Sequence, residues 1–461
     1  MALATEDDLK SWMRENRTSS SERGSDIPSH ENTFKMKGVS SCLLDDLERL
    51  KLVFDNLPDE ELVRILEKER GNGRDDYPVR CMWNSVVAGV VFQHPTIASL
   101  IRELQRNVQL RYVCGFDHID KVPSSHNYSR FLNLLLKHQT ELDQIFQELV
   151  RELTEILPEF GQHLSMDSKS IPSYAKRPNK NNKPDGRRET DADLGVKTYH
   201  GVREDGTPWE KIVKCFGFKL HLIVDSTYEL PVAYSVTKAS AADVIEGHKL
   251  IEKLAEEQPE VIDACDYLCA DKGYDDSKLI NKLMDPAYGI KPVIDTRQLW
   301  KDEKERPLPG YQNIYYNERG EVFCYDAKNG ERRTMSCDGY ETSRHCLRKK
   351  CPVKSYGIKC PSFGRCPNQG GIRIPLSTDS RIFTAVDRSS YKWASEYALR
   401  TSVERVNSRL DVSFGFEVHT IRGEKKMTLC CGLSLITMLA MALGRARQNQ
   451  EHLIRSLVRS S

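Results

Sequence analysis

Three acidic residues in this chain stand where a folded protein could use them together. Asp167 follows the short run HLSM and Asp271 follows YLCA, so each is expected at or near the carboxyl end of a strand, where open α/β sheets bind ligands. An Asp in such a place also serves as a turn or helix cap. Glu404 is specified differently, because Tyr397, Arg400 and Glu404 stand at i, i+3 and i+7 of a helical segment. At about 100° per residue they fall within roughly 60° of one another, so one helix face presents all three. An ordinary surface Arg–Glu pair has the same spacing.

Two further clusters have chemical potential. From Lys176 the segment KRPNKNNKPDGRR holds six cations and one Asp in a Pro- and Asn-rich stretch, which predicts a mobile loop after the first acidic strand. Lys176, Arg177, Arg187 and Arg188 could meet nucleic-acid phosphates there, or the run could be a solvated loop. Cys324, Cys337, Cys346, Cys351, Cys360 and Cys366 crowd into one short region. The spacing of Cys346, Cys351, Cys360 and Cys366 has the sulfur density of a Zn²⁺ site without the paired CxxC signature, so free thiols are the competing reading. Trp300 and Tyr311 could stack on an extruded base or simply pack.

The elements that must position these residues follow from periodicity. Residues 1–40 are rich in Ser, Glu, Arg and Asn, a composition expected of a flexible leader. Residues 41–160 show helical spacing, as in Leu132, Leu135, Leu142, Ile145, Phe146 and Leu149, and predict an all-helical domain. From 161 to 299 the pattern is of paired strands, then of alternating strand and helix, giving an α/β mixed sheet flanked by helices. Residues 300–375 read as a Cys-rich insertion. The α/β pattern is expected to resume at RIFTAVDRSS and to close with two helices by residue 447, leaving a basic tail over 448–461.

Composition narrows the classes. Of 461 residues 39% are hydrophobic, which allows a large core, and 68 Lys plus Arg against 67 Asp plus Glu leave any nucleic-acid surface to local clustering. No signal-peptide pattern opens the chain, so the cysteines are expected to be reduced thiols or metal ligands in the cytoplasm. Residues 427–444 carry no charge, the lower limit for a membrane span. Thr428, Ser434 and Thr437 within it favour a buried core helix, and no membrane partner is expected.

MDSKSI at Asp167, ADKGYDD at Asp271 and YALRTSVERVNSRL from Tyr397 resemble the catalytic core of bacterial insertion-sequence DDE transposases with a Tyr-x2-Arg-x3-Glu-x6-Lys signature. The resemblance spans about residues 120–445. It implies a ribonuclease-H-like fold with an insertion between the second Asp and the Glu. It also implies Asp167, Asp271 and Glu404 as catalytic metal ligands, and Tyr397 and Arg400 as DNA contacts. One position departs: where the signature has Lys, this chain has Asp411, about 20° from Glu404 around the helix. Arg409 lies on another face, and Arg422 in the following TIRG loop is the candidate replacement.

Such chemistry suits carboxylates. Phosphodiester cleavage and strand transfer build negative charge on attacking oxygen, leaving oxygen and phosphoryl group, which two Mg²⁺ or Mn²⁺ ions about 3.5 to 4 Å apart can stabilise. The expectation is therefore a DNA transposase acting on terminal repeats and target DNA, as a homodimer when pairing two ends, in a bacterial nucleoid. A transposase-derived DNA-binding protein without activity, or a nuclease without strand transfer, are the alternatives.

Overall fold

The computed structural model describes residues 41–71, 76–177, 189–203, 205–302 and 304–456. The expected leader over 1–40, and Arg187 and Arg188, lie outside them. Two compact units divide between Lys51 and Leu52, inside helix α1 (Ser41–Asn56). All that follows belongs to the second.

Helices α2 (Glu60–Arg70), α3 (Val79–Val91), α4 (Ile97–Arg106), α5 (Val108–Val113), α6 (Ser125–Leu135) and α7 (Gln139–Ile156) precede the first strand. Their starts are written locally. Thr96 and Ser99 form a reciprocal capping box at α4, and Ser124 accepts from the Asn127 amide at α6, each satisfying an amide that the first helical turn leaves unpaired. Helix α7 buries Leu142, Ile145, Phe146, Leu149, Val150 and Leu153, the i, i+3, i+4, i+7 stripe of an amphipathic helix.

The sheet is built on one long strand. β3 (Pro208–Asp225) pairs antiparallel with β1 (His163–Pro172) on one edge. On the other edge it pairs with β2 (Asp193–Val202) over its first half and with β4 (Leu230–Lys238) over its second. β5 (Tyr267–Ala270) and β6 (Lys291–Ile294) continue the sheet parallel to β1. α8 (Asp243–Glu257) and α9 (Pro259–Ala264) come between β4 and β5, and α10 (Ser277–Met284) between β5 and β6. A β-carbon on Gly217 would stand 2.1 Å from the Ile171 carbonyl oxygen, so only glycine permits β1 and β3 to close there.

The insertion is more structured than its lack of long periodicity predicts. β7 (Arg306–Pro307), β8 (Ile314–Tyr316), β9 (Val322–Tyr325) and β10 (Arg332–Thr334) form one small sheet. β11 (Ser336–Glu341), β12 (Cys346–Lys350) and β13 (Ile372–Pro375) form another, with α11 (Pro352–Tyr356) after β12. A core of its own, including Trp300, Leu308, Ile314, Val322, Leu347, Ile374 and Phe383, holds them. Trp300 lies edge-on to Tyr316 and the Tyr311 hydroxyl donates to the Arg373 carbonyl, so both take the packing role.

No strand forms at residues 381–390, where the α/β pattern was expected to resume. The chain instead enters α12 (Tyr391–Ala398) and α13 (Thr401–Phe414), then α14 (Glu424–Arg447). Helix α14 is long and apolar enough to cross a membrane, yet 89% of its apolar window is buried inside the protein. It packs against α3, α7 and β4, the core-helix reading of residues 427–444.

Candidate active site

Asp167 stands in the middle of β1, not at its end as expected, because β1 runs on to Pro172 along β3. The parallel partner β5 stops at Ala270, opposite Met166. Asp167 therefore lies where β1 outruns β5, and Asp271, the first residue past β5, comes beside it. The two carboxylates are held locally: Asp167 Oδ1 accepts from the Ser168 amide and Asp271 Oδ1 from the Gly273 amide, each at 2.7 Å. A β-carbon on Gly273 would stand 2.7 Å from Asp271 Oδ1, so the glycine of ADKGYDD leaves room for this turn.

Burial and the neighbouring Asp271 charge push the Asp167 carboxyl up to about 6, against the pull of Lys197 and Arg400. Like charges brought together in a partly desolvated place call for a cation. Arg400 supplies one, with Nη1 3.7 Å from Asp167 and Nη2 2.7 Å from Glu404 Oε1. The helix bearing it breaks between Ala398 and Thr401, but Leu399 and Arg400 keep right-handed helical backbone. The face of Tyr397, Arg400 and Glu404 is thereby preserved, and the guanidinium lies 5.8 Å from the Tyr397 ring centre.

The other residues of ADKGYDD have separate tasks. Asp276 caps α10 through the Leu279 amide. Buried Asp275 accepts from the Arg297 amide and from Arg381 Nη1 at 2.8 Å, joining the chain entering the insertion to the chain leaving it. Arg388 closes the same junction by donating to the Ile294 carbonyl.

Asp295 and Lys169 are not singled out by the sequence. Asp295 follows the apolar strand KPVI as Asp271 follows YLCA, and both raise the Tyr397 hydroxyl's pKa after burial does. Lys169, two residues beyond Asp167 on the same strand, pairs with Asp411; strand alternation carried that signal. Arg409 and Arg405 both engage Glu229 in the β3–β4 turn and clamp α13 to the sheet. Arg422 lies over the Tyr174 ring at 5.2 Å, and Lys176 and Arg177 are exposed on the chain following β1.

The cysteines do not assemble as expected. Burial, and then the nearby Cys351, Cys360 and Cys366, push the Cys324 thiol up to about 11, whereas the Cys346 sulfur donates to the Arg344 carbonyl. Among the described residues no three His, Cys, Asp or Glu side chains are grouped to hold a metal ion; in the active site, Glu404 is drawn to Arg400.

A transposase DDE domain model matches residues 158–439, which covers both aspartates, the insertion and the α13 glutamate in that order. The chain belongs to the DDE transposase family. A second transposase domain model, DUF772, matches residues 41–134 of this DDE transposase, and the mixed sheet is its ribonuclease-H-like core. No curated protein matches. A solved piggyBac transposase synaptic complex with hairpin DNA is similar at 11% identity and a TM-score of 0.34, over 89% of this chain and 79% of that one. Transposases of this family act on DNA with divalent metal ions, and the arrangement here fits that need. Two neighbouring carboxylates carry an unfavourable mutual charge, and the Arg400 guanidinium links Asp167 to a third, Glu404.

Proposed function

We propose that Asp167, Asp271 and Glu404 hold Mg²⁺ or Mn²⁺ and that this transposase cuts and joins DNA at the terminal repeats of an insertion sequence, working as a homodimer on two ends. The observation that carries the reading is the pairing of Asp167 with Asp271 across the β1/β5 edge, with Arg400 bridging Asp167 to Glu404. Bound ions would supply an activated attacking oxygen and a stabilised leaving oxygen. The protein's part is to prepare that place. Asp167 is ionised above about pH 6, and Glu404, with its side chain 52% exposed, is free to turn from Arg400 toward the aspartates. Arg400, released from the carboxylates, is placed to pair with a phosphate oxygen, and the Tyr397 hydroxyl to donate to the DNA backbone. Lys176, Arg177 and Arg422, with Arg187 and Arg188 on the same connection, provide sequence-independent phosphate contacts.

The full chain should cleave a DNA fragment carrying the sequences that flank its own gene when Mg²⁺ is added, and join the cut ends to a target plasmid. Asp167→Asn, Asp271→Asn and Glu404→Gln should each abolish cutting while retaining DNA binding. Cutting without joining would leave a nuclease, and binding without cutting a DNA-binding protein.

A further inference from the structure

The ion pair between Lys169 and Asp411 joins two elements of the active site. Asp167 and Lys169 project from the same face of β1, since strand residues two apart share a side. Glu404 and Asp411 lie two helical turns apart on one face of α13, about 20° around the axis. Helix α13 thus crosses β1 with a carboxylate–arginine–carboxylate contact at one end and a lysine–carboxylate contact at the other. Lys169 and Asp411 are neither buried nor free, with side chains 16% and 20% exposed. An ammonium has three donors, and one carboxylate oxygen beside it leaves the others available.

We infer that Lys169 is a DNA phosphate-binding residue, and that Asp411 holds its ammonium beside the carboxylates and competes with the phosphate for it. This rests on the active-site reading above and adds to it the residue that anchors the strand next to the reacting bond. A lysine carried by the sheet then stands where α13 itself bears a carboxylate. Arg409 and Arg405 are excluded from that task by their engagement with Glu229.

Binding without chemistry tests this separately from the carboxylates. A fluorescein-labelled 30-base-pair duplex is titrated with the full chain in EDTA over a series of KCl concentrations, and melting of each variant is followed by circular dichroism. Lys169→Met should weaken binding about three- to tenfold and lower the slope of log affinity against log salt by about 0.9, the value of one phosphate contact. Asp411→Asn should tighten binding. The exchange Lys169→Asp with Asp411→Lys should return affinity to within about twofold of the unmodified chain. Affinity changes of the same sign in Lys169→Met and Asp411→Asn, or none in either, would overturn the inference and leave a structural clip. Loss of cutting in the Asp167, Asp271 and Glu404 variants is read in a different assay, so either idea can fail alone.

Discussion

The Asp167 carboxyl sits near 6 because its charge is partly buried beside Asp271. A folded-state value raised above the unfolded one means that ionising this residue costs stability, and the cost grows as pH rises from about 4 through 6. Asp167→Asn should therefore stabilise the metal-free protein at pH 8 by about 1–3 kcal/mol, read as a melting temperature higher by a few degrees. Mg²⁺ should raise the melting temperature of the unmodified chain more than that of the variant. Equal melting of the two metal-free proteins would overturn this account of the Asp167 charge. Gly273 acts by volume alone. Gly273→Ala drives a methyl against Asp271 Oδ1, and should lower cleavage by on the order of 10²-fold with little change in melting, because displacing a reacting group by about 1 Å costs that much.

Among the elements, β3 carries most of the sheet, and buried His221 on it is a test of that role. Burial holds its imidazole down to about 4, with Nε2 2.9 Å from Thr237 on β4. A folded-state value depressed below the unfolded one gives stability that is complete above pH 6.5 and is lost as pH falls toward 4. In His221→Gln the urea midpoint should fall less between pH 6.5 and 4 than in the unmodified chain, by up to about 3 kcal/mol in unfolding free energy. Elements such as β3, β4, α8 and α10 were legible because period-2 alternation gives way to helical spacing at clear turns. β2 and the strands of the insertion were not, since their segments are short and their apolar residues find partners only in the folded chain. In the site, Glu404 was legible from a helix face. Asp295 had the same strand-then-Asp signal as Asp271 and went unread because no motif surrounds it. Lys169 was hidden because its partner is 242 residues away.

At the scale of the molecule, α14 joins regions that the sequence pattern separates. It lies against α3 and α7 of the helical region and β4 of the sheet, and Arg447 reaches Asn56 and Glu152. A chain ending after Arg422 would expose the apolar faces of all three neighbours. It should lose its cooperative melting transition and soluble yield, both measurable against the full chain; a soluble, cooperatively melting product would show that the two regions have independent cores.

The junction of Asp275 with Arg381 and of Ile294 with Arg388 has a consequence for how this protein can vary. The insertion leaves and returns at one spot, closed by guanidinium clasps and filled by its own core. It is a cassette: its contents can be exchanged or enlarged at small entropic cost, while the strand ending at Ile294 and the helix bearing Glu404 stay in register. Changes can therefore accumulate in the cassette of this chain while the edge that bears Asp167 and Asp271 remains unaltered.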